Sequence, residues 1–383
     1  MEHRYIDSSE ALDELCADLA PAGHLALDTE FLREKTYYPK LCLLQVCGNG
    51  VAACVDVLAV DDLSPLLSML SELSRVKVWH AARQDLEIFL NEWGLLPAPV
   101  FDTQLAAAVL GLGDQVGYAR LVQDVMGVAL PKDQSRSDWC RRPLDEIQLR
   151  YAYDDVVHLE ALYREISGRL DALGRAEWLA EDFAVLVNPA TYRTDPGDAW
   201  QRVKGRQHLK GARLAVLREL AAWREERAVA VDRPRRWVLK DEVLVDIARR
   251  QPDTPALLSR IRGLEERTIG RHGEDLLACV RRGQAVPKER WPRERIPPRL
   301  SAEQEVTVDA LAAVLRLLAD ANSITPAALG SRADLARLAT GVDSAFDHGW
   351  RRALAGDVLK RVLSGEQVLH LRDGRPVLDA WPG

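Results

Sequence analysis

Two proline-containing segments most constrain how this chain of 383 residues can fold. The first covers residues 188–205 and includes Pro189 and Pro196, and the second covers residues 284–299 and includes four prolines. Because proline has no backbone N–H and interrupts helices and strands, we expect both segments to be linkers. A chain of this length also exceeds what one hydrophobic core usually serves. We therefore predict three domains, at residues 1–200 (with its linker from about residue 188), 205–290 and 298–383.

Short apolar runs alternate with helical patterns in the first domain. We predict strands at residues 24–30, 41–47, 51–57, 76–79 and 99–101, and helices at residues 61–73, 84–93 and 144–170. The sequence Gly48-Asn49-Gly50, between the second and third strands, is typical of a hairpin turn. Three strands followed by alternating helices and strands indicate an α/β fold, with a mixed sheet flanked by helices.

Both later domains have the residue spacing of helices. Residues 209–282, and residues 300 to the C-terminus, are helical in pattern, so we predict two all-α helical-bundle domains. Each combines an apolar helix, a short break with proline and a short helix, near residues 241–248 in one and 332–339 in the other. This shared layout is compatible with a degenerate duplication.

The net charge of −7 conceals an uneven distribution of charge. Residues 1–200 hold 17 Lys+Arg and 33 Asp+Glu, whereas residues 201–293 hold 23 and 13, so their net charges are −16 and +10. An acidic part joined to a basic part suggests a metal-binding or catalytic domain beside one that binds a polyanion. A solvated basic surface on helices would give the same balance, and charge alone leaves both interpretations open.

The cysteines and the lengths of the apolar runs indicate the cellular compartment in which the protein works. Six cysteines are scattered without C-x-x-C spacing, so we expect reduced thiols, with neither a zinc site nor a disulfide framework. No stretch approaches the roughly twenty apolar residues of a membrane span, and the first residues lack the apolar core of a signal peptide. We therefore expect a cytoplasmic protein that does not associate with membranes.

Acidic residues at three places in the first domain are candidates for a metal site. Asp28 and Glu30 end a predicted strand and project from the same face, because strand side chains alternate. Asp85 starts a predicted helix, and Tyr151 and Asp155 stack one turn apart on the long helix. Singly, such acids are also typical of solvated strand ends and helix N-termini. Together, four carboxylates suit a pair of Mg²⁺ ions, which can stabilise both the attacking and the leaving oxygen of a phosphodiester.

These residues lie in segments that resemble the three exonuclease motifs of the DEDD superfamily, tyrosine subclass. The segments are residues 27–31 (Leu-Asp-Thr-Glu-Phe), 80–89 and 151–155 (Tyr-Ala-Tyr-Asp-Asp). Residues 101–104 and 132–139 are similar to the stretches between the second and third motifs. Order and spacing resemble most the ribonuclease D family over roughly residues 1–200. The two helical domains resemble the HRDC domain, the second more faintly.

The resemblance implies a ribonuclease H-like sheet and a metal-dependent 3′→5′ exoribonuclease that releases nucleoside 5′-monophosphates. By position, Asp28, Glu30 and Asp155 would bind the metal ion that activates water, and Asp28 and Asp85 would bind a second ion. Tyr151 would orient the attacking water. The two ions would be Mg²⁺ or Mn²⁺, and the substrate would be RNA with a free 3′ end, such as a tRNA precursor. No obligate protein partner is evident.

Eight further residues are candidates for substrate binding. His80 either contacts the 3′ end or is a buried residue at the end of a strand. Lys132, Arg136 and Trp139 lie in an irregular polar arm, where a grip on the RNA backbone is expected. In the basic domain, cations surround an aromatic residue, which suits single-stranded nucleic acid. The candidates there are Arg235, Arg236, Trp237 and Lys240.

Two other functions are compatible with the sequence. A DNA 3′→5′ exonuclease uses the same kind of centre, although this chain has no polymerase or helicase segment. A catalytically silent RNA-binding adaptor would keep the fold, but all five candidate catalytic residues are present. We therefore favour the exoribonuclease.

Overall fold

The computed structural model describes residues 1–131, 134, 137–293 and 300–381, and the chain forms two compact units. The first, which we call the sheet unit, contains the described residues of 1–30, 41–191 and 298–383. The second, the helical unit, contains the described residues of 31–40 and 192–297. The three-domain division of the sequence stays a prediction.

The sheet unit is built on a six-stranded mixed sheet with the strand order β1-β4-β3-β2-β5-β6. The strands are β1 (Glu2–Ile6), β2 (His24–Leu32), β3 (Lys40–Gly48), β4 (Val51–Val55), β5 (Val76–Trp79) and β6 (Val100–Asp102). The pairs β1–β4, β2–β5 and β5–β6 are parallel, whereas β3 and β4 are antiparallel. The predicted mixed sheet is confirmed, and β1 is an additional edge strand that the sequence pattern does not reveal.

The hairpin between β3 and β4 forms where the sequence predicts it. Asn49 and Gly50 have left-handed φ values of 48° and 81°, as a two-residue hairpin turn requires. The turn sets a register in which Val46 pairs with Ala53. Both strands are buried along almost their whole length, which requires cover on both faces of the sheet.

Helices supply that cover. They are α1 (Ser9–Leu19), α2 (Ser64–Leu70), α3 (Arg83–Trp93), α4 (Thr103–Val109), α5 (Tyr118–Met126), α6 (Glu146–Ala172) and α7 (Ala180–Leu186). A capping box between Asp145 and Gln148 starts α6, because each side chain accepts a hydrogen bond from the other's backbone N–H. The predicted apolar stripe of α6 includes Ala152, Val156 and Leu159, which are buried as the helix packs against β4 and β5.

The helical unit is an all-α bundle in its larger part. Its helices are α8 (Ala212–Ala230), α9 (Arg235–Val238), α10 (Asp241–Arg250), α11 (Pro255–Leu258) and α12 (Glu266–Gln284). The helices α8 and α12 approach closely, since a Cβ on Gly283 would lie 2.4 Å from the Cα of Val216. A buried ion pair of 2.6 Å between Arg224 and Asp241 joins α8 to α10.

The last segment of the chain is helical first and ends in a hairpin. Its helices are α13 (Ala302–Ala321), α14 (Pro326–Leu329), α15 (Arg332–Ala339), α16 (Gly349–Arg351) and α17 (Asp357–Leu363), with a π-helical turn at Arg352–Gly356. The prediction of helix to the C-terminus is wrong for the antiparallel strands β7 (Gln367–Arg372) and β8 (Arg375–Ala380). The physical reason is the turn Asp373-Gly374, where both residues have positive φ and the chain reverses.

This last segment packs on the rest of the sheet unit. The ring of Trp350 stacks on that of Trp178 at a centroid distance of 4.6 Å, and its indole N–H donates to the Trp178 carbonyl at 2.9 Å. A salt bridge of 2.9 Å between Arg351 and Asp182 lies beside the stack.

Residues 137–142, the part of the polar arm nearest to α6, are attached to β3. Cys42 and Cys140 form a disulfide, so the expectation of six reduced thiols is wrong for these two. The arm lies against the strand, which brings the two Cα atoms to 5.1 Å. Arg142 pairs with the buried Asp56 and donates to the Cys42 carbonyl at 2.7 Å. Among the described residues, no helix has both the length and the apolar character to cross a membrane.

Candidate metal centre

Three carboxylates of the sheet unit converge at one point. Asp28 and Glu30 project from the same face of β2, and Asp155 projects from α6. One ligand oxygen of each lies within 4.8 Å of those of the other two. Glu30 and Asp155 are buried, and Asp28 is partly buried. All three donors are oxygen atoms, which is the donor set that hard divalent cations such as Mg²⁺ and Mn²⁺ prefer.

A fourth carboxylate, that of Asp85, lies next to this group. It is in the first turn of α3 and is buried. The hydroxyl of Thr29, which lies between Asp28 and Glu30 in β2, donates a hydrogen bond to the Asp85 carboxylate. A single segment of β2 therefore carries two of the clustered acids and the hydroxyl group that holds the fourth acid, Asp85, on α3.

The acids of this centre destabilise one another when they are charged. Burial raises the pKa of Asp28 well above its ordinary value, and the neighbouring negative charge of Asp155 raises it further. Burial also raises the pKa of Asp85, with the charge of Asp28 as the next cause. A bound cation would offset both effects, because it neutralises the carboxylates and replaces the water that they have lost. The side chains present therefore fit a divalent metal ion.

Tyr151 lies beside these acids, one helical turn before Asp155. Its side chain lines a cavity of about 100 Å³ together with Asp28, His80 and Asp155. A larger cavity of about 480 Å³ shares Tyr118, Tyr151 and Asp155 with the first and extends to Leu130 and Pro131. The acids thus line two adjoining cavities. The smaller one has room for a small polar molecule, and the larger one has room for a bulkier group.

Two residues of this region do not stand out in the sequence. The hydroxyl of Tyr118, at the start of α5, donates a hydrogen bond of 2.5 Å to the backbone carbonyl of Asp155. Thr29 holds Asp85, as described above. Neither residue has a periodicity or a charge that would reveal its role. Only the central position of Thr29 in an Asp-x-Glu segment hints at one.

The structure describes only some of the candidate substrate-binding residues of the sheet unit. His80 lines the smaller cavity, but both its ring nitrogens have protein partners, the Thr103 hydroxyl at 2.9 Å and the Val116 carbonyl at 3.0 Å. Burial lowers the pKa of His80, which favours the neutral ring. Lys132 and Arg136 lie outside the described residues.

Trp139 is fully buried. Its ring centroid lies 6.0 Å from that of Tyr151, and the neighbouring Cys140 is bonded to Cys42 of β3. Trp139 thus packs against the candidate centre. Its role in substrate binding stays a prediction.

A separate basic cavity of about 370 Å³ lies within the helical unit. It is lined by Trp237 and by the arginines Arg227, Arg233, Arg267 and Arg271, and no carboxylate lines it. Among the described residues, none of these arginines forms an ion pair, and Arg233 lies 5.8 Å over the exposed indole of Trp237. This combination of unpaired cations and an exposed aromatic ring suits an anion with an attached base.

The other basic candidates lie outside this cavity lining. Arg235 lies over the ring of Tyr37 at 5.6 Å, and Arg236 donates to Glu242 at 3.4 Å. Lys240 is exposed directly before α10. The arginines of α8 and α12 that line the cavity are far from Trp237 in sequence, so the local cluster around Trp237 could not reveal them.

Comparisons with known proteins identify relatives of this chain. Residues 3–171 match the family model of the 3′-5′ exonuclease, and residues 213–280 match that of the HRDC domain. Ribonuclease D of Gluconacetobacter diazotrophicus is 41% identical over 97% of this chain and 93% of that protein. Ribonuclease D of Pseudomonas paraeruginosa is 38% identical over 94% of this chain and 98% of its own length.

A solved structure shows the likeness in three dimensions over most of the chain. The crystal structure of Escherichia coli RNase D, an exoribonuclease involved in structured RNA processing, has a TM-score of 0.83 and is 31% identical. The match covers 95% of this chain and 99% of that one.

Proposed function

Because the chain belongs to the ribonuclease D family and is a 3′→5′ exoribonuclease, we propose that the candidate centre binds two divalent metal ions and hydrolyses RNA from its 3′ end. The observation that carries this proposal is the convergence of Asp28, Glu30 and Asp155 within 4.8 Å, with Asp85 held beside them. Mg²⁺ and Mn²⁺ both suit this set of oxygen donors.

In this proposal each residue of the centre has its own role. When bound, divalent ions supply an activated water and stabilise the departing 3′-oxygen. Asp28, Glu30 and Asp155 would provide the oxygens for one ion, and Asp28 and Asp85 would provide those for the other. Tyr151 orients the attacking water, since its side chain lines the cavity beside Asp28 and Asp155. The products are nucleoside 5′-monophosphates.

The two cavities at this centre suit the 3′-terminal nucleotide. The smaller one, of about 100 Å³, has room for the scissile phosphate and a water beside the acids. The larger one, of about 480 Å³, combines Tyr118, Leu130 and Pro131, which suit the flat face of a nucleobase, with Arg120 and Asp154, which suit the hydroxyl groups of a ribose. Tyr118 serves both, because it lines them and holds the backbone of Asp155. We include it among the substrate-contacting candidates.

The helical unit contributes affinity for RNA in this proposal. Its cavity of four unpaired arginines attracts phosphates, and the exposed indole of Trp237 offers a stacking surface. We propose structured RNA with a free 3′ end as the substrate, and tRNA precursors as a specific case, since the Escherichia coli relative is involved in structured RNA processing. The expectation of a cytoplasmic location stays a prediction.

One assay separates this proposal from its alternatives. The protein is incubated with Mg²⁺ and with 5′-labelled RNA or DNA of equal length. A descending ladder with released mononucleotides on RNA supports the proposal, and preference for DNA supports the DNA exonuclease. Inertness on both polymers supports the silent adaptor.

Variants assign the activity to the centre. Asp155→Asn should abolish the ladder, because the amide cannot supply the charge that a metal ion requires. Asp171→Asn, on the exposed end of the same helix, is the matched control and should retain full activity. Full activity of Asp155→Asn would refute the assignment.

A further inference from the structure

A second carboxylate of α6 lines the larger cavity without belonging to the proposed metal-binding acids. Asp154 directly precedes Asp155 and lines the cavity of about 480 Å³ together with it and with Tyr151. Because residues three and four apart share a face of a helix, Tyr151, Asp154 and Asp155 lie on the same side of α6. The side chain of Asp154 is partly buried. The cavity therefore has one more acid than the metal centre uses.

The carboxylate of Asp154 has no protein partner in the described part of the chain. It forms neither a hydrogen bond nor an ion pair with any residue that the structure describes. Arg120, a cation that lines the same cavity, pairs instead with Asp124 at 2.6 Å. A partly buried carboxylate has lost some of its water and gains from a hydrogen-bond donor. This acceptor therefore suits a donor that a bound molecule supplies.

The backbone of α6 at Asp154 is held by Tyr118 at the start of α5. The Tyr118 hydroxyl donates to the backbone carbonyl oxygen of Asp155 at 2.5 Å and lies 3.3 Å from that of Asp154. One phenol therefore joins α5 to the turn of α6 that carries both acids. A side chain on a fixed turn presents its acceptor to a ligand with little further loss of backbone freedom.

The chemistry of a carboxylate limits what the donor can be. An ionised carboxylate only accepts hydrogen bonds and repels a phosphate, so the donor is a hydroxyl or an amino group. An exonuclease that removes successive nucleotides meets all four bases at one position, and uracil has no amino group. Every nucleotide of RNA carries a 2′-hydroxyl, which is the donor that DNA lacks. A ribose 2′-hydroxyl therefore fits Asp154 best.

We propose that Asp154 is a specificity-determining residue, whose carboxylate accepts a hydrogen bond from the 2′-hydroxyl of a ribose next to the scissile phosphate. This contact favours RNA over DNA. The inference rests on the proposed function of the metal centre, because it places the scissile phosphate beside Asp155. The metal-binding acids act on a phosphate that both polymers share, so discrimination between the polymers has to come from a neighbouring group. Asp154 supplies it in the adjoining cavity.

RNAs that differ in a single 2′ group test this role. A short 5′-labelled RNA is compared, in Mg²⁺, with versions whose last or penultimate nucleotide carries a 2′-deoxy or a 2′-fluoro group. Both groups lack the donor, but the 2′-fluoro group keeps the sugar pucker of RNA. In the wild type, either modification at one of the two positions should lower kcat/KM of the first cleavage by about tenfold or more. The reason is the loss of a hydrogen bond to a charged group.

A variant of the full-length chain connects this effect to Asp154. Asp154→Ala removes the acceptor, so it should lower kcat/KM on unmodified RNA by about the same factor, and the 2′ modifications should then have little further effect. Asp171→Ala, on the exposed end of the same helix, is the matched control and should discriminate as the wild type does. Comparison of the variant with the wild type also cancels any effect that the 2′ group has on the chemistry itself.

Three results would overturn the inference. Wild-type protein that cleaves every modified RNA as fast as unmodified RNA would show that no 2′-hydroxyl is bound. Loss of rate with the 2′-deoxy group alone would assign the effect to sugar pucker. Discrimination by Asp154→Ala equal to that of the wild type would assign the contact to another residue.

Inert wild-type protein would instead refute the proposed function. The equilibrium affinities for the same RNAs would then test Asp154. They should differ by about tenfold between unmodified and modified RNA in the wild type and be equal in Asp154→Ala. Equal affinities in the wild type would refute the role of Asp154 by themselves.

Discussion

The substitution Asp28→Asn should remove the nuclease activity and, at the same time, stabilise the metal-free protein. The amide has nearly the shape of the carboxylate but no charge. In the native protein the oxygens of Asp28 and Asp155 lie within 4.8 Å, where two unit charges repel by about 3.5 kcal/mol at an effective dielectric constant of ~20. Partial protonation and water reduce this repulsion, so we expect a net gain of about 1–3 kcal/mol.

Thermal unfolding with and without metal measures this gain. In EDTA, a gain of this size should raise the Tm of Asp28→Asn by several degrees, at about 2–4 °C per kcal/mol for a unit of this size. Addition of Mg²⁺ should raise the Tm of the wild type, because a ligand that binds only the folded state stabilises it. The same addition should have much less effect on the variant, whose centre has lost a shared ligand.

Two results would refute this reasoning. A lower Tm of Asp28→Asn in EDTA would mean that Asp28 is an ordinary structural residue whose hydrogen bonds outweigh its charge repulsion. A Mg²⁺-dependent rise equal to that of the wild type would mean that the ion binds elsewhere. Asp171→Asn provides the reference for a charge change on the same unit away from the centre.

Three further predictions concern other parts of the molecule. Burial raises the pKa of Asp56, but hydrogen bonds from Arg142 and other donors outweigh this effect and bring the pKa below its ordinary value. The pairing of Asp56 with Arg142 therefore stabilises the fold above about pH 4, and this stabilisation is lost as the pH falls further. Arg142→Gln should therefore lower the free energy of unfolding in urea by about 2–3 kcal/mol at pH 7 and by clearly less at pH 3, and an equal loss at both pH values would contradict this. Gly283→Ala should lower the Tm and the free energy of unfolding by about 1–3 kcal/mol, because the added Cβ would lie 2.4 Å from the Val216 backbone. Gly270→Ala on the same helix is the control, since a Cβ there has open space and should leave the Tm unchanged. Trp237→Ala should weaken RNA binding by about 1–3 kcal/mol in fluorescence anisotropy and leave kcat at saturating RNA unchanged, and unaltered affinity would remove Trp237 from the RNA surface.

Local sequence patterns were sufficient to predict much of the fold and the acidic residues of the candidate metal centre. The period of two in β2 places Asp28 and Glu30 on one face, and the period of the helix places Tyr151 one turn from Asp155. The hairpin at Asn49 follows from turn chemistry in the same way. The C-terminal hairpin also had a local signal, Asp373-Gly374, which the helical pattern of the preceding residues obscures.

The rest depended on contacts between residues that are far apart in the chain. Thr29 meets Asp85, Tyr118 meets Asp155, and Cys42 meets Cys140 only because the sheet and its helices bring them together. No periodicity encodes such pairs, since each residue alone is compatible with many neighbours.

The basic cavity also depends on contacts between distant residues. The sequence alone determined that acids of a metal-binding type lie in an α/β domain and that a basic helical part follows. The tertiary structure decided which arginines of α8 and α12 meet Trp237. The physical reason is that burial and charge pairing act between surfaces, and those surfaces exist only once the helices have packed.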